Sequence, residues 1–196
     1  MAKQDRAVRT RQELIRSAAE AFDRNGFAPS SLTEISVGAG VSSGALHFHF
    51  GSKRALGAAV ESEAARILQD IIAPRPSERP ASLRNLVDTS HILARRLAED
   101  VVLRAGFGLA ADAAWQEDVA LWRVWHSWVR SMLTRARAEG VLAADVLIED
   151  LVSAVTAVVV GAQALGRADA DWSARHAVAQ FWNLMLPRIT TAMVRP

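Results

Sequence analysis

The chain of 196 residues is 51% apolar and 22% charged, a globular balance that argues against disorder and suits one compact domain or a small domain joined to a larger one. It has no cysteine and no tyrosine, which excludes disulfides, thiolate zinc sites, a cysteine nucleophile and phenolic acid–base chemistry. The net charge is only +2, but residues 1–55 hold 8 basic and 5 acidic side chains, whereas residues 56–196 hold 15 and 16.

The N-terminal excess comes from Lys3, Arg6, Arg9 and Arg11 against Asp5. A short basic arm ahead of a small helical unit is an electrostatic footprint of nucleic-acid binding. A solvated, frayed terminus has the same composition. The first residues are polar and carry no apolar core of a signal peptide, so a cytoplasmic protein is expected.

Helical periodicity dominates the rest, and alternating strand patterns are weak. A first helix is expected over about Thr10–Arg24, with Thr10 and Glu13 at capping-box spacing and Leu14, Ile15, Ala18, Ala19 and Phe22 as its apolar stripe. Gly26 is placed to end it. Ser31 and Glu34 mark a short second helix with Leu32, Ile35 and Val37 on its apolar face, stopping near Gly40. Ser42 is placed to cap a third helix, Ser43–Phe50, and Ser52 a fourth that runs to about Ile72.

Residues 73–80 contain Pro74, Pro76 and Pro80 and read as a break. Longer helices are expected over about 81–99, 101–111, 113–139, 145–168 and 171–194, with Gly140 and Pro187 as punctuation. The longest apolar run, Leu151–Leu165, includes Ser153, Thr156 and Gln163. It is shorter than the roughly 20 residues of a membrane span and reads as a buried helix, with no membrane partner.

The last two helices are apolar over more than one face, through Val155, Val158, Val159, Ala162, Leu165, Phe181, Trp182, Leu184, Met185, Leu186 and Ile189. Pairing of two identical subunits would cover such a surface. The fold class is therefore all-α: a three-helix domain at residues 1–55 and a larger helical domain, expected to carry the dimerisation surface, at residues 56–196.

Two short helices separated by Gly40-Val41 have the layout of a helix-turn-helix, whose second helix enters the major groove. Leu46 and Phe50, one turn apart, can pack inward, which leaves Ser42, Ser43, Gly44, His47 and Phe48 outward. Lys53 and Arg54 open the next helix, where a phosphate also meets the helix dipole.

The run from Thr10 to Leu56 resembles the DNA-binding domain of the tetracycline-repressor (TetR) family. The resemblance lies in Arg11 and the Ile15/Ala18/Phe22 helix, Gly26-Phe27, Leu32-Thr33-Glu34-Ile35, Ala39-Gly40-Val41, Gly44-Ala45-Leu46, Phe48-His49-Phe50 and Lys53. It implies a homodimeric repressor whose larger domain binds a small effector. Residues 1–7, His47-Phe48-His49-Phe50 and Val101–Gly106 look like the γ-butyrolactone autoregulator receptors of actinobacteria.

The recognition helix of those receptors usually reads Thr-Lys-Gly-Ala-Leu-Tyr-Phe-His-Phe. Ser42, Ser43 and His47 depart from it in the direction of the pseudo-receptors, which often respond to antibiotics or biosynthetic intermediates. The DNA-contacting set implied is Arg6, Arg9, Arg11, Thr33, Ser42, Ser43, Gly44, His47, Phe48 and Lys53, on a double-stranded operator with an inverted repeat. His47 is a DNA contact or a solvated surface histidine, and His49 a packing residue or a phosphate donor. They point about 200° apart on a helix, so they do not chelate one metal ion.

All six tryptophans follow residue 110, and Trp115, Trp122, Trp125 and Trp128 lie close in sequence. Indole rings make flat apolar walls with one N–H donor, as a lipophilic ligand requires, and as a core or subunit interface also uses. Trp125-His126 resembles the receptor segment whose tryptophan lines the ligand pocket. Trp122, Val102, Phe107, Val159 and Gln163 complete the candidate set. The Gln163 amide needs a ligand carbonyl or a neighbouring backbone group.

No nucleophile, phosphate-loop or dinucleotide motif is present, so neither an enzyme nor a cofactor is expected. The reading is a repressor released by a small lipophilic effector and controlling secondary metabolism. A sensor of efflux substrates and a helical partner protein without DNA binding are the alternatives.

Overall fold

The computed structural model describes residues 2–74, 81–115, 120–168 and 172–191. Among the described residues the secondary structure is helical, with one isolated antiparallel bridge between Leu142 and Thr190. The helices are α1 (Ala2–Asn25), α2 (Leu32–Gly38), α3 (Ser43–His49), α4 (Lys53–Ile72), α5 (Ser82–Glu99), α6 (Val101–Leu109), α7 (Leu121–Ala138), α8 (Ile148–Ala168) and α9 (Ala174–Ile189). The expected proline-rich break lies outside the described residues from position 75 onward.

The chain forms two compact units. One comprises Met1–Ile67 with Asp100–Leu121, the other Leu68–Glu99 with Trp122–Pro196. α6 therefore belongs to the same unit as α1, α2 and α3.

In the first unit the α1 stripe Leu14, Ile15, Ala18, Ala19 and Phe22 is buried as its spacing predicts. Ile35 of α2, Leu46 of α3, Phe50, Leu56 and Val60 of α4, and Ala105 and Leu109 of α6 join it in one core. Phe27 packs between Phe22, tilted against it, and Trp115, edge-on to it, with centroid separations of 5.4 and 4.7 Å. Gly26 ends α1 at φ 82°, a conformation that glycine adopts without a steric cost.

Several boundaries differ from the sequence expectation. α1 begins at Ala2 and not near Thr10, because Ala2–Arg9 holds good helix formers, Asp5 favours the first turn, and no residue there stops the helix. Thr10 is consequently mid-helix, and the capping box with Glu13 does not start the helix. Val37 is exposed, and Ser36 takes the buried position instead.

α7 starts at Leu121, not 113. The Asp112 carboxylate accepts the Ala114 N–H at 2.9 Å and the Asp112 carbonyl accepts the Trp115 N–H, which turns the chain. Trp115 thus leaves the tryptophan row and packs in the first unit. α9 continues through Pro187 to Ile189, where the Thr190 N–H and hydroxyl both donate to the Leu186 carbonyl.

In the second unit α8 packs against α5 and α9. Glu139 accepts from both the N–H and the hydroxyl of Ser82 and so closes the start of α5. Segment Ile148–Gly166 is long and apolar enough to cross a membrane by length and composition alone. It carries Thr156 and Gln163 on its buried side.

Gly106 lets α6 cross α4 closely: a Cβ there would lie 2.3 Å from the Ala64 Cβ and 3.2 Å from a Leu121 methyl. Gly106→Ala is expected to lower stability by about 1–3 kcal/mol through overpacking, read as a lower midpoint of urea unfolding.

Candidate nucleic-acid interface and effector residues

The reader is assembled by local bonds. The Ser31 hydroxyl accepts the Glu34 N–H at 3.1 Å and the Ser42 hydroxyl accepts the Ala45 N–H at 3.1 Å, so both short helices are capped where the sequence predicts. Between them Gly40, at φ 65°, donates to the Val37 carbonyl and Val41 donates to the Ser36 carbonyl. Seven-residue helices have no stability alone, and Leu46 and Phe50 supply the anchorage by entering the core.

Helical geometry then leaves Ser42, Ser43, Gly44, His47 and Phe48 on the outside, and all five are exposed. Thr33 on α2 is exposed too. The next residue, Glu34, is engaged by Arg24 and Asn25 at 3.3 and 3.2 Å.

Arg6, Arg9 and Arg11 are exposed on the N-terminal half of α1. The Lys3 side chain lies outside the described residues. A groove of about 380 Å³ runs between this part of α1 and the start of α3, lined by Arg6, Ala7, Thr10, Gly40, Val41, Ser42, Ala45 and His49. Its polar groups are a guanidinium, two hydroxyls and an imidazole, with no carboxylate. That is the chemistry of an anion seat.

Thr10 lines this groove from mid-helix, a position that its capping-box spacing with Glu13 does not announce. The half-buried His49 lines the same groove and touches Phe48 edge-on, with ring centroids 5.3 Å apart. Arg11 lies over the Phe50 ring at 5.2 Å. On α4, the hydrogen bond from Arg66 to Glu63 holds that carboxyl below its ordinary range. Partial burial opposes the effect, and the charges of Arg66 and Arg11 add to it.

Lys53, expected to hold a phosphate, has a different set of partners. Its ammonium donates at 2.9 Å to each of the carbonyls of Phe27, Ala28 and Ser30, and it sits 4.7 Å from the centre of the Phe27 ring. An ammonium has three donors, so all are engaged in holding the α1–α2 loop. Asp112 grips the same loop by accepting the Phe27 N–H at 2.8 Å, and Arg104 of α6 bonds Asp23 of α1 at 2.8 Å.

The effector candidates divide between the units: Val102 and Phe107 lie on α6 in the first, and Trp122, Trp125, Val159 and Gln163 in the second. Val102 is half-buried against the first unit's core and Phe107 is buried. Trp125 is 0% exposed and stacks on Trp128 at 5.1 Å. Its indole N–H has no hydrogen-bond partner in the described structure. The buried indole N–H groups of Trp115 and Trp182 likewise have no partner, so the orphaned donor is shared by three tryptophans and is not peculiar to Trp125.

Trp122 is exposed and meets the edge of His126. The His126 Nδ1 lies 3.3 Å from the Thr156 hydroxyl, which ties α7 to α8, and its Nε2 lies 3.3 Å from Arg130. Arginine only donates, so Nε2 is the acceptor and Nδ1 carries the hydrogen. Arg130 also bonds Glu149 at 2.6 Å. Val159 and Gln163 are buried on the side of α8 that carries Thr156, at spacings that keep all three on one face.

Residues 14–60 match the model for bacterial regulatory proteins of the tetR family. Over 192 residues the chain is 31% identical to the A-factor receptor protein of Streptomyces griseus, covering 96% of this chain and 67% of that protein. A gamma-butyrolactone receptor (ArpA-like protein) is similar in structure at a TM-score of 0.81, with 25% identity and coverage of 96% and 91% of the two chains. CprB of Streptomyces coelicolor, a TetR family protein solved with its biological operator sequence, gives a TM-score of 0.80 at 27% identity, covering 96% and 92%.

Replacing Lys53 by Met removes its three hydrogen bonds and leaves the loop carbonyls without them. A loss of about 1.5–3 kcal/mol is expected from urea unfolding; unchanged stability would mean that the ammonium does not brace the loop.

Proposed function

The chain belongs to the tetR family of bacterial regulatory proteins, and from that premise we propose that it is a homodimeric transcriptional repressor that binds an inverted-repeat operator and is released by a small lipophilic effector. It is a regulator, not an enzyme. The observation that carries the reading is the outer face of α3: Ser42, Ser43, Gly44, His47 and Phe48 project to solvent while Leu46 and Phe50 fix the helix from behind.

In this reading α3 enters the major groove, with His47 at a base edge and the serine hydroxyls beside it. Arg6, Arg9, Arg11 and Thr33 contact the phosphate backbone, and the α1–α3 groove seats one phosphate on Arg6, Thr10 and His49. The role of Lys53 shifts from phosphate contact to brace of the reader.

Two copies pair through α8 and α9. Leu165 and Leu184 are 47% and 60% exposed in the single chain, and Val158, Phe181 and Met185 are half-buried. A two-fold pair covers them and sets the spacing of the two α3 helices.

The effector site lies with Trp125, Trp122, Val159 and Gln163. The unpartnered Trp125 N–H calls for an effector with a hydrogen-bond acceptor, such as a lactone or ketone carbonyl, in an otherwise apolar skeleton. A lactone signal of the kind named for its relatives fits, as does an oxygenated antibiotic intermediate. The other two candidates, Val102 and Phe107, lie in the first unit on α6, whose Arg104 and following Asp112 hold α1 and the α1–α2 loop.

Release then requires that the effector bind more tightly to the form in which α6 has shifted than to the DNA-bound form. The protein works in the cytoplasm, on genes of secondary metabolism.

A mobility shift on the duplex upstream of its own gene tests the reading. His47→Ala should weaken specific binding by about 1 kcal/mol or more, roughly fivefold; an unchanged shift would count against the base contact. For the effector, Trp125→Phe is the better variant, because an alanine at a fully buried indole leaves a cavity costing about 3–5 kcal/mol. Trp125→Phe should leave operator affinity intact and raise the effector concentration for release about fivefold, the loss of one hydrogen bond. Release at the wild-type concentration would move the effector elsewhere.

A further inference from the structure

We propose that Phe48 reads thymine: its ring covers the 5-methyl group of one thymine in each operator half-site. The inference rests on the DNA-binding reading and adds what that surface selects.

Phe48 is 83% exposed, more than any other large hydrophobic side chain recorded as exposed among the described residues. A lone exposed apolar residue on a featureless surface needs no explanation. This one stands on the short helix whose remaining exposed positions are Ser43, Gly44 and His47.

The composition of α3, Ser-Gly-Ala-Leu-His-Phe-His, holds no Arg or Lys to grip guanine and no Asn or Gln to grip adenine. Its outward chemistry is hydroxyl, imidazole and phenyl. A phenyl ring has no donor for a phosphate and no partner among the polar base edges. The single apolar group presented by the major groove is the thymine methyl.

Two features prepare the ring for that contact. The ring packs edge-on against His49, which itself lines the groove that holds Arg6 and Thr10. One turn earlier on the same side, position 44 is glycine. A Cβ built there would meet nothing nearer than the Ser42 hydroxyl at 3.9 Å, so no side chain holds the duplex away from the ring.

The test uses the full-length protein and a duplex enriched by it from a random pool. Each thymine of the duplex is replaced in turn by deoxyuridine, which keeps every hydrogen bond and removes only the methyl. At one thymine per half-site the replacement should weaken binding about fourfold, and about fifteenfold when made in both half-sites, as burial of one methyl each predicts.

Phe48→Ala, at an exposed position that leaves the core intact, should bind the thymine and uracil duplexes equally, and Phe48→Leu should retain part of the difference. Indifference of the wild-type protein at every thymine, or a uracil effect that survives Phe48→Ala, would overturn the assignment while leaving DNA binding in place. Failure of any duplex to enrich would instead bring down the DNA-binding reading, and this inference with it.

Discussion

The structure of the reader depends on one shared core. The stripe of α1 receives Ile35, Leu46, Phe50, Leu56 and Val60 from the three helices that follow, so four helices too short or too polar to stand alone hold one another. Burying Leu46 and Phe50 contributes about 1.5–3 kcal/mol each. With those two side chains inward, rotation of about 100° per residue sends Ser43, Gly44, His47 and Phe48 outward. The exposed chemistry of α3 is thus a consequence of its buried chemistry.

The same core ties α6 to that surface. α6 contributes Ala105 and Leu109 to it, crosses α4 at Gly106, and bonds α1 through Arg104 and Asp23. The turn after α6 holds the α1–α2 loop through Asp112, and Lys53 holds that loop from the other direction. A loop fixed at its N–H by one element and at its carbonyls by another has little freedom to move by itself. α6, α1 and the α1–α2 loop are thus bonded to one another within the first unit.

Much of this was legible in the sequence because it is local. Serine caps at 31, 42 and 52 bond the N–H three residues on, so composition and spacing suffice to find them. The inward pair Leu46 and Phe50 follows from helical period alone. What stayed hidden depends on distant partners. Lys53 looked like a phosphate contact because its carbonyl acceptors lie 23 to 26 residues earlier. The attachment of α6 to the reader rests on residues 81 and 85 positions apart.

Trp115 looked like part of a tryptophan row because nothing in its neighbours' hydropathy announces the Asp112 turn. Trp122 and Trp125 both lie on α7, the first exposed and the second fully buried. The missing acceptor at the Trp125 indole is a property of its three-dimensional surroundings, and no periodicity encodes it.

The central claim is that the outer face of α3 lies in the major groove of duplex DNA. The absence of cysteine makes a direct measurement available. Ser43→Cys introduces a unique exposed thiol on that face, to which an iron chelate that cleaves DNA can be attached. Bound to its selected duplex, the conjugate should cut at two sites related by the operator's symmetry, with the strand offset of a major-groove origin. Uniform cutting, a minor-groove offset, or no cutting by a conjugate that still binds would contradict the account.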